Sequence, residues 1–348
     1  MIILVVTYQH AYTIRDYLDT WGASLKSRIR VLFYDDLFCQ RSVPRGAYIF
    51  TDLERLSAVQ LHQADVVASY LVEQGLPVLN RPHSVLSRYD LLKQLSAEGI
   101  NRFRAVRLRD VDESLRYPVF LRRDNDHEGP VSKLIENECE LQGEVLDAVY
   151  RGVPPHNLLA VEFCGTADET GLYRKYSAFL IGSCLVPRHI LFSRNWVTKL
   201  PERVGETEID EERRYLFDEP NAHASEVRDM FQRASIDYGR IDYAFVNGRI
   251  VVWEINTNPT ISTPAHRIYP ERAATLREVD ARLRGAFEEA ADAPSASSGA
   301  ALSVPVALRA ALGISEPERR KQRLRQGRRS ARFWLQKTKA ALRHRFSP

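Results

Sequence analysis

An Asn-Gly dipeptide, Asn247-Gly248, lies between two runs rich in β-branched and aromatic residues and constrains the fold more than any other feature. Asn-Gly in this setting is a strong signal for a β-hairpin with a tight turn. Asp242 lies on the first predicted strand, whereas Glu254 and Asn256 lie two apart on the second and share a face. Oxygen donors without nitrogen or sulfur suit a hard cation such as Mg²⁺ and not zinc. The pattern therefore predicts a magnesium site on a hairpin.

This metal site sets a condition on the register of the hairpin. A strict two-residue turn places Asp242 opposite Trp253, and Glu254 then points to the other face of the sheet. A three-residue loop or a β-bulge pairs Asp242 directly with Glu254. The metal-site hypothesis therefore requires the longer loop or a bulge. The alternative is a hairpin whose carboxylates lie solvated at its rim.

The composition excludes several classes of protein. The 348 residues are 27% charged and 44% hydrophobic, which is typical of soluble globular proteins. No apolar run approaches the ~18 residues that a membrane-spanning helix needs. The first apolar run, 2–6, lacks a basic leader and is interpreted as a strand and not as a signal peptide. The cysteines are too scattered for a zinc site or a disulfide framework, which favours a reducing, cytoplasmic location: Cys39, Cys139, Cys164 and Cys184.

Alternating strand and helix signals in the first ~85 residues predict a parallel α/β layer. Here the pattern predicts strands over 2–7, 30–34, 48–51 and 77–79 and a helix over 55–74. Further along the chain it predicts helices over 84–98, 138–150 and 221–235, and strands over 103–106, 118–121, 158–163 and, around a turn at Gly182, 173–186. The expected fold class is therefore α/β.

The motif Arg240-x-Asp242…Glu254-x-Asn256-x-Asn258-Pro259 resembles the ATP-grasp superfamily, which includes D-alanine–D-alanine ligases, glutathione synthetases and RimK-type ligases. The resemblance implies that Asp242, Glu254 and Asn256 bind the Mg²⁺ ions, two in number and replaceable by Mn²⁺, that bridge the phosphates of ATP. It implies that Arg240 is a catalytic cation, which agrees with the negative charge of a transferring phosphoryl group.

The resemblance spans about residues 79–262 and implies an ATP-grasp fold behind a Rossmann-like N-terminal domain. The domains expected on this basis are 1–85 for the N-terminal α/β domain, 86–165 for the central lid subdomain and 166–290 for the subdomain with the metal hairpin. The small, flexible residues of 293–305 predict a linker, which we extend to 291–315, and a basic tail follows over 316–348.

The nucleotide contacts implied by the resemblance follow the same order along the chain. They are Lys93, Arg122, His127, Glu162, Phe163, Cys164 and Lys175. Two departures from the family pattern stand out. Arg122 occupies the position of a phosphate-binding lysine, and a guanidinium is not interchangeable with an ammonium. The phosphate loop over 124–129 has only one glycine, which gives fewer free backbone N–H geometries.

The implied activity is ATP-dependent carboxylate–amine ligation through an acyl phosphate, with release of ADP and phosphate. The partners would be a small-molecule or peptide carboxylate and an amine-type nucleophile. The sequence leaves the oligomeric state open, and a homodimer is one alternative. Arg194 and Lys199 are candidate catalytic cations, and the candidate substrate contacts are Arg174, Arg188, Asn258 and Ser262. For each single cation the alternative is a solvated charge. Alternatives for the whole chain are an ATP-grasp kinase and a catalytically weakened nucleotide-binding protein.

The tail over 316–348 carries 12 Lys or Arg residues against two acids, so its net charge is +10 and that of the remaining chain is −6. Apolar residues recur in it at helical spacing, which predicts a basic amphipathic helix. Such a helix can bind an anionic membrane, with a peripheral location, or a nucleic acid or an acidic partner. Docking on the acidic body of the same chain, or a disordered tail, is the alternative.

Overall fold

The structure is a computed structural model, and it describes residues 1–126, 129–198, 205–218, 221–262, 272–292, 300–315, 317–322 and 324–325. Within these residues the chain forms three main sheets, the helices α1 to α9 and a further helical segment over 317–322. The sheets fall inside the segments 1–85, 86–165 and 166–290 of the predicted domains. The predicted α/β class is confirmed. None of the described helices is long and apolar enough to cross a membrane.

The N-terminal layer is a parallel sheet of four strands in the order β2-β1-β4-β5. The strands are β1 (Ile2–Val6), β2 (Ile29–Phe33), β4 (Ala47–Phe50) and β5 (Val78–Leu79), and the helices are α1 (Tyr12–Asp19), the short α2 (Tyr34–Leu37) and α3 (Ala58–Glu73). Every residue of β1 is buried because both faces of the layer are covered. A capping box begins α3, in which Ser57 and Gln60 satisfy each other's backbone N–H groups.

The second sheet is antiparallel and has three strands in the order β6-β8-β7. Its strands are β6 (Ala105–Arg107), β7 (Val119–Arg123) and β8 (Leu158–Glu162). Two helices accompany it, α4 (Arg88–Ala97) and α5 (Glu138–Tyr150), and each begins at a polar cap, Ser87 and Asn137 respectively. The sheet places the ends of β7 and β8 beside the hairpin around Asn247-Gly248.

The third sheet is antiparallel in the order β10-β9-β11-β12. It consists of β9 (Tyr173–Ile181), β10 (Cys184–Ser193), β11 (Tyr238–Val246) and β12 (Arg249–Asn256), with helices α6 (Glu206–Phe217), α7 (Ala224–Arg233) and α8 (Ala273–Asp292). Gly182 turns the first hairpin in the left-handed region, at φ +60°. One core joins this sheet to the N-terminal layer, because Tyr17 of α1, Tyr238 of β11 and Phe287 of α8 pack together.

The segment after α8 returns to the N-terminal layer. Strand β13 (Leu302–Ser303) pairs with β3 (Ser42–Val43), and α9 (Val306–Ala311) follows. Val304 and Leu312 are buried in the core beside α3. The prediction of a flexible linker over 291–315 is therefore wrong for residues 300–315. The small residues there suggested a linker, but in the structure they form a strand pair and pack on the core. The body also extends beyond 290, because α8 ends at Asp292.

The start of the basic tail also packs against the N-terminal layer. Residues 317–322 are helical, and Arg319 is buried and donates from Nη1 to the Phe38 carbonyl oxygen at 2.9 Å. Gln322 donates from Nε2 to Asp36 at 3.2 Å. The described part of the tail thus docks on its own chain, while residues 326–348, which hold most of the predicted amphipathic helix, lie outside the described residues.

Candidate active site

The hairpin of β11 and β12 has both a two-residue turn and a bulge. Asn247 and Gly248 occupy the turn at φ 51° and 72°, and Val246 pairs with Arg249. Further along, Asp242 pairs with Glu254 while Tyr243 pairs with Val252, so Trp253 is an extra residue on its strand. The bulge therefore places Asp242 and Glu254 opposite each other on one face. The register that the metal-site hypothesis requires is present.

Asp242 lies in a row of polar groups across the sheet and is almost fully buried. Its Oδ1 accepts from Ser177 Oγ at 3.2 Å and from Arg240 Nε at 3.2 Å, and Lys175 Nζ lies 3.1 Å from Oδ2. Burial alone would raise the pKa of Asp242, but the charges of Arg240 and Lys175 hold it below its usual value. The Asp242 carboxyl is therefore ionised at neutral pH.

Glu254 is held by two arginines from different elements. Arg88 Nη2 at the start of α4 donates to Glu254 Oε2 at 2.6 Å, and Arg122 Nη2 on β7 donates to the same oxygen at 2.5 Å. Arg88 Nη1 also donates to the carbonyl oxygen of Arg123 at 2.8 Å, which fixes the guanidinium. Burial lowers the pKa of Arg122, and Arg88 lowers it further. The two guanidiniums thus repel each other, and an added negative charge would relieve that repulsion.

The charges of this cluster do not balance. The carboxylates of Asp242 and Glu254 face four cations: Arg88, Arg122, Lys175 and Arg240. Two further carboxylates lie near these arginines, but each is paired with another arginine and adds no net charge: Asp126 with Arg123 and Asp124 with Arg107. Two positive charges are therefore in excess in a largely buried place, where charge is costly unless compensated. Arg122 Nε is buried and has no hydrogen-bond partner among the described residues. The cluster is suited to a polyanion that arrives with a net negative charge.

An aromatic cleft opens next to the charged cluster. Its cavity volume is about 130 Å³. Trp196 lies across it, with its ring centroid 5.1 Å from Phe120 and 5.8 Å from Phe163. Trp253, the extra residue of the bulge, also lines it. Lys175, Arg122, Asp242 and Glu254 line the same cleft, so an aromatic slot and a cationic cluster adjoin.

Glu162 lines the cleft, but its carboxylate is already engaged. Arg104 donates to it from its backbone N at 2.9 Å and from Nε at 2.8 Å, and Arg116 donates from its backbone N at 3.0 Å and from Nη2 at 2.6 Å. These hydrogen bonds outweigh burial and lower the pKa of Glu162 to about 2. Glu162 therefore acts as a brace between two loops, and its implied role as a nucleotide contact stays a prediction.

The end of β12 is tied to the N-terminal layer. Asn256 Oδ1 accepts from the backbone N of Asn258 at 2.7 Å, and Asn258 Oδ1 accepts from Thr13 Oγ1 at 2.7 Å. Asn258 Nδ2 also donates to the carbonyl oxygen of His10 at 3.2 Å. The loop that follows the metal motif is therefore held against α1, so both Asn256 and Asn258 have fixed orientations.

The remaining predicted residues lie in several places. Phe163 and Cys164 line the cleft. Lys93 is exposed over the Tyr89 ring, and Arg174 is engaged by Asp168 and Glu211, so neither joins the charged cluster. Arg194 donates to the carbonyl oxygen of Thr170 at 3.2 Å on the exposed side.

Four further predicted site residues remain. Arg188 is 2% exposed and donates to the carbonyl oxygen of Ile261 at 2.9 Å, so it supports the loop after the hairpin, and its role as a direct substrate contact stays a prediction. Ser262 Oγ lies 3.3 Å from Thr20 Oγ1. His127 and Lys199 lie outside the described residues.

Arg88 and Trp196 are the residues that sequence reasoning missed in the cluster and the cleft. Arg88 begins α4, 166 positions before its partner Glu254, and no local pattern connects the two. Trp196 follows Arg194 by two positions, and only Arg194 was predicted as a site residue. The sequence signal that could have identified Trp196 as a site residue was its position two residues after the candidate cation.

The donor set fits Mg²⁺ only as an ion shared with a ligand. No group of three or more His, Cys, Asp or Glu side chains that could hold a metal occurs within the described part of the chain. Asp242, Glu254 and the amide oxygen of Asn256 remain, and the two carboxylates are partly engaged by cations. Mg²⁺ usually binds one or two carboxylates together with substrate phosphates. The residues fit an ion that arrives with a polyphosphate.

Comparison of the chain with known proteins finds structural likeness and no sequence match. No protein-family model matches, and no curated protein matches in sequence. The chain is similar to D-alanine–D-alanine ligase from Bacillus anthracis complexed with ATP, at 13% identity, 83% coverage of this chain, 96% of that chain and a TM-score of 0.49. It is also similar to a RimK domain ATP-grasp protein from Sphaerobacter thermophilus, at 13% identity, 84% and 100% coverage and a TM-score of 0.47.

A third similar structure is the L-amino acid ligase from Bacillus licheniformis, at 12% identity, 82% coverage of this chain, 74% of that chain and a TM-score of 0.40. At these identities and TM-scores, the likeness establishes no activity for this chain.

Proposed function

We propose that this chain is an ATP-dependent ligase that joins a carboxylate to an amine-type nucleophile and releases ADP and phosphate. The observation that carries the proposal is the bulge-paired Asp242 and Glu254, with Asn256, inside a cluster that has two positive charges in excess. Such a cluster is complementary to a triphosphate accompanied by Mg²⁺, and the adjoining aromatic cleft is complementary to a purine.

Each part of the cleft has a distinct task in this proposal. Trp196, Phe120 and Phe163 offer aromatic faces to the base. Arg122 and Lys175 line the same cleft at its charged end and would hold the phosphates. Asp242, Glu254 and Asn256 would hold Mg²⁺, which when bound neutralises phosphate charge and orients the phosphates.

The reaction we propose has two steps. First, an oxygen of the substrate carboxylate attacks the terminal phosphorus of ATP, the bond to the bridging oxygen breaks, and ADP leaves. Arg240, which lies beside Asp242, would stabilise the negative charge of the transferring group. Second, the nucleophile attacks the carbonyl carbon of the acyl phosphate and phosphate leaves. Asn258 and Ser262, next to the N-terminal layer, would then contact substrate.

Thermal unfolding with Mg²⁺ and a non-hydrolysable ATP analogue tests the nucleotide site. Ligand at ~100 times its Kd stabilises a folded protein by about 2.7 kcal/mol, so wild type should unfold at a higher temperature. The Mg²⁺-dependent part of the shift should disappear in Asp242→Asn. The matched control is Asp229→Asn, a carboxylate on α7 that pairs with Arg233 away from the cleft. A wild type without any shift would contradict the proposal.

A nucleotide-binding protein without turnover is the second candidate, and one observation favours it. Arg122 and Arg88 both engage Glu254, so a metal must compete with two guanidiniums for this carboxylate. ADP release separates the two candidates. A ligase releases ADP only when both a carboxylate and a nucleophile are present, whereas a pure binding protein shows the thermal shift and no substrate-dependent ADP.

A further inference from the structure

His189 lies on the same face of the sheet as the metal-binding carboxylates. It pairs with Ser177 on β9, Ser177 pairs with Asp242 on β11, and Asp242 pairs with Glu254 on β12. Directly opposed residues of antiparallel strands point to the same side, so these four side chains form one row. With strands ~4.8 Å apart, the Cα atoms of His189 and Asp242 are about 10 Å apart. The His189 ring therefore lies on the side of the sheet that carries the two carboxylates.

The charges around His189 come from every element packed against it. Lys175 on β9, Arg240 on β11, Arg188 on its own strand and Arg272 before α8 are the cations. The carboxylates nearby are already paired: Asp242 with Lys175 and Arg240, and Glu212 of α6 with Arg272. Burial lowers the pKa of His189 well below its usual value, and the four cations lower it further. The imidazole is therefore neutral at pH 7.

The loop that follows the metal motif is anchored at the same place. Arg240 Nη1 donates to the carbonyl oxygen of Thr260 at 3.4 Å, and Arg188 Nη2 donates to that of Ile261 at 2.9 Å. Asn258 of this loop contacts α1, so the loop bridges the N-terminal layer and β10. Among the described residues, no hydrogen bond uses the His189 ring. A neutral, uncommitted imidazole thus lies beside the loop whose residues are the expected substrate contacts.

We propose that His189 is the general base that deprotonates the attacking nucleophile. This inference rests on the proposed function, because it concerns the second step of the same reaction. A ring nitrogen of His189 takes a proton from the ammonium of the nucleophile. The freed lone pair attacks the carbonyl carbon, the bond from that carbon to the phosphate oxygen breaks, and phosphate leaves with the bonding electrons. The imidazolium then returns its proton to the departing phosphate or to water.

The cationic surroundings suit this role once the acyl phosphate is present. Without substrate, the four cations keep the imidazole unprotonated, so it is ready to accept a proton. An acyl phosphate brings negative charge next to Arg240 and Lys175 and thereby offsets their effect on the ring. The ring then becomes a stronger base at the step that needs one, and general base catalysis of this kind contributes about 10²–10⁴-fold.

Two nucleophiles separate this inference from the proposed function. Hydroxylamine is unprotonated at neutral pH and attacks an acyl phosphate without a base, whereas an amino acid presents an ammonium. We would measure ADP release with the twenty standard amino acids as carboxylates, first with hydroxylamine and then with amino acids as nucleophiles, in wild type, His189→Gln and His189→Asn. His83→Gln, an exposed histidine that contacts Asp65, is the matched control.

We expect both His189 variants to keep hydroxylamine-dependent ADP release and to lose amino-acid-dependent release about 10²–10⁴-fold at neutral pH. The lost rate should recover as pH rises, because the free amine fraction then increases. Equal rates and pH profiles in wild type and the variants would overturn the inference, and so would equal loss with both nucleophiles. No ADP release by wild type with either nucleophile would overturn the proposed ligase itself.

A second readout does not depend on turnover. The histidine ring resonances of the ligand-free protein can be followed by NMR against pH, with His189→Gln to assign the His189 signals. We expect the His189 ring to stay neutral as the pH falls through the ordinary pKa of histidine, about 6.5. A His189 ring that becomes protonated in that ordinary range would contradict the inference, because the cations would then leave no neutral base in reserve.

Discussion

Glu162 and Glu254 are two carboxylates, each held by two arginines at the same cleft, yet the contacts differ. Arg104 and Arg116 reach both oxygens of Glu162, with backbone N–H groups as well as guanidiniums. Arg88 and Arg122 instead converge on one oxygen of Glu254, Oε2. Both carboxylates are nearly excluded from solvent. An ion pair alone therefore does not distinguish a structural carboxylate from a functional one.

The difference lies in what surrounds each pair. Arg104 and Arg116 reach the surface, so solvent shares their charge and Glu162 completes a local brace. Arg88 and Arg122 are largely buried, and Asp242 with its own cations lies across the strand pair. Glu254 thus belongs to a cluster with excess positive charge that a ligand can complete. The balance of charge, more than the number of contacts, therefore marks the candidate site.

The largest effect that separates the two carboxylates should be on turnover. Glu254→Gln removes a charge that would hold the proposed Mg²⁺ and should lower ADP release about 10²–10³-fold, as loss of one electrostatic group typically does. Glu162→Gln should keep activity within about tenfold once the protein is folded, since its carboxylate has no lone pair for the nucleotide. Steady-state ADP assays below the unfolding temperature measure both. Similar losses in the two variants would break the comparison.

Stability should follow the same order. Glu254→Gln leaves Arg88 and Arg122, both largely buried, without a counter-charge and should lower the free energy of unfolding by about 3–5 kcal/mol. Glu162→Gln leaves the donors of Arg104 and Arg116 partly unsatisfied, but these arginines reach solvent, so its loss should be about 1–3 kcal/mol. Urea unfolding of both variants, followed by far-UV circular dichroism, gives the two values. A larger loss for Glu162→Gln would show that the burial of the arginines does not set the cost of removing their carboxylate.

The metal hairpin was largely predictable from the sequence, and its surroundings were not. Asn247-Gly248 indicated the turn, and the oxygen donors on β12 indicated a site whose register needed a bulge. The residues near Trp253 do not by themselves predict a bulge at this position. The position of the bulge depends on how β12 pairs within the sheet and packs against the cleft. Arg88 lies 166 residues from Glu254, and only the packing of α4 against β12 brings them together.

Other elements escaped prediction for a different reason. Helix α6 is dominated by charged residues, and α8 lies close to a segment of small residues. The periodicity of apolar residues therefore predicted neither helix. Residues 300–315 read as a linker, although β13 pairs with β3 and Leu312 is buried. His189 gave no signal because a single histidine within a strand is usually part of a core. Its alignment with Asp242 appears only when β9 lies between their strands.

The pH dependence of stability sharpens the account of Glu162. Burial alone would raise its pKa, but hydrogen bonds from Arg116 and Arg104 lower the pKa from 4.5 to about 2 in the folded protein. A depressed pKa contributes stability that is fully present above pH 4.5 and is lost as pH falls toward 2. The stability difference between wild type and Glu162→Gln should therefore shrink across this window. Glu113→Gln, an exposed carboxylate, should show a difference near zero throughout.

The smallest expected effect comes from exchanging one arginine of each pair for lysine. Arg122→Lys keeps the cation that would hold phosphate but loses the planar donor shared with Glu254, so nucleotide affinity should change by less than about tenfold. Arg116→Lys should leave affinity unchanged and lower stability slightly, because a lysine cannot reproduce contacts to both Glu162 and the carbonyl oxygen of Arg102. Titration of an ATP analogue with Mg²⁺ measures the first effect and thermal unfolding the second. If Arg122→Lys lowered stability without touching affinity, Arg122 would be a brace like Arg116, and the excess charge beside Glu254 would have a structural explanation.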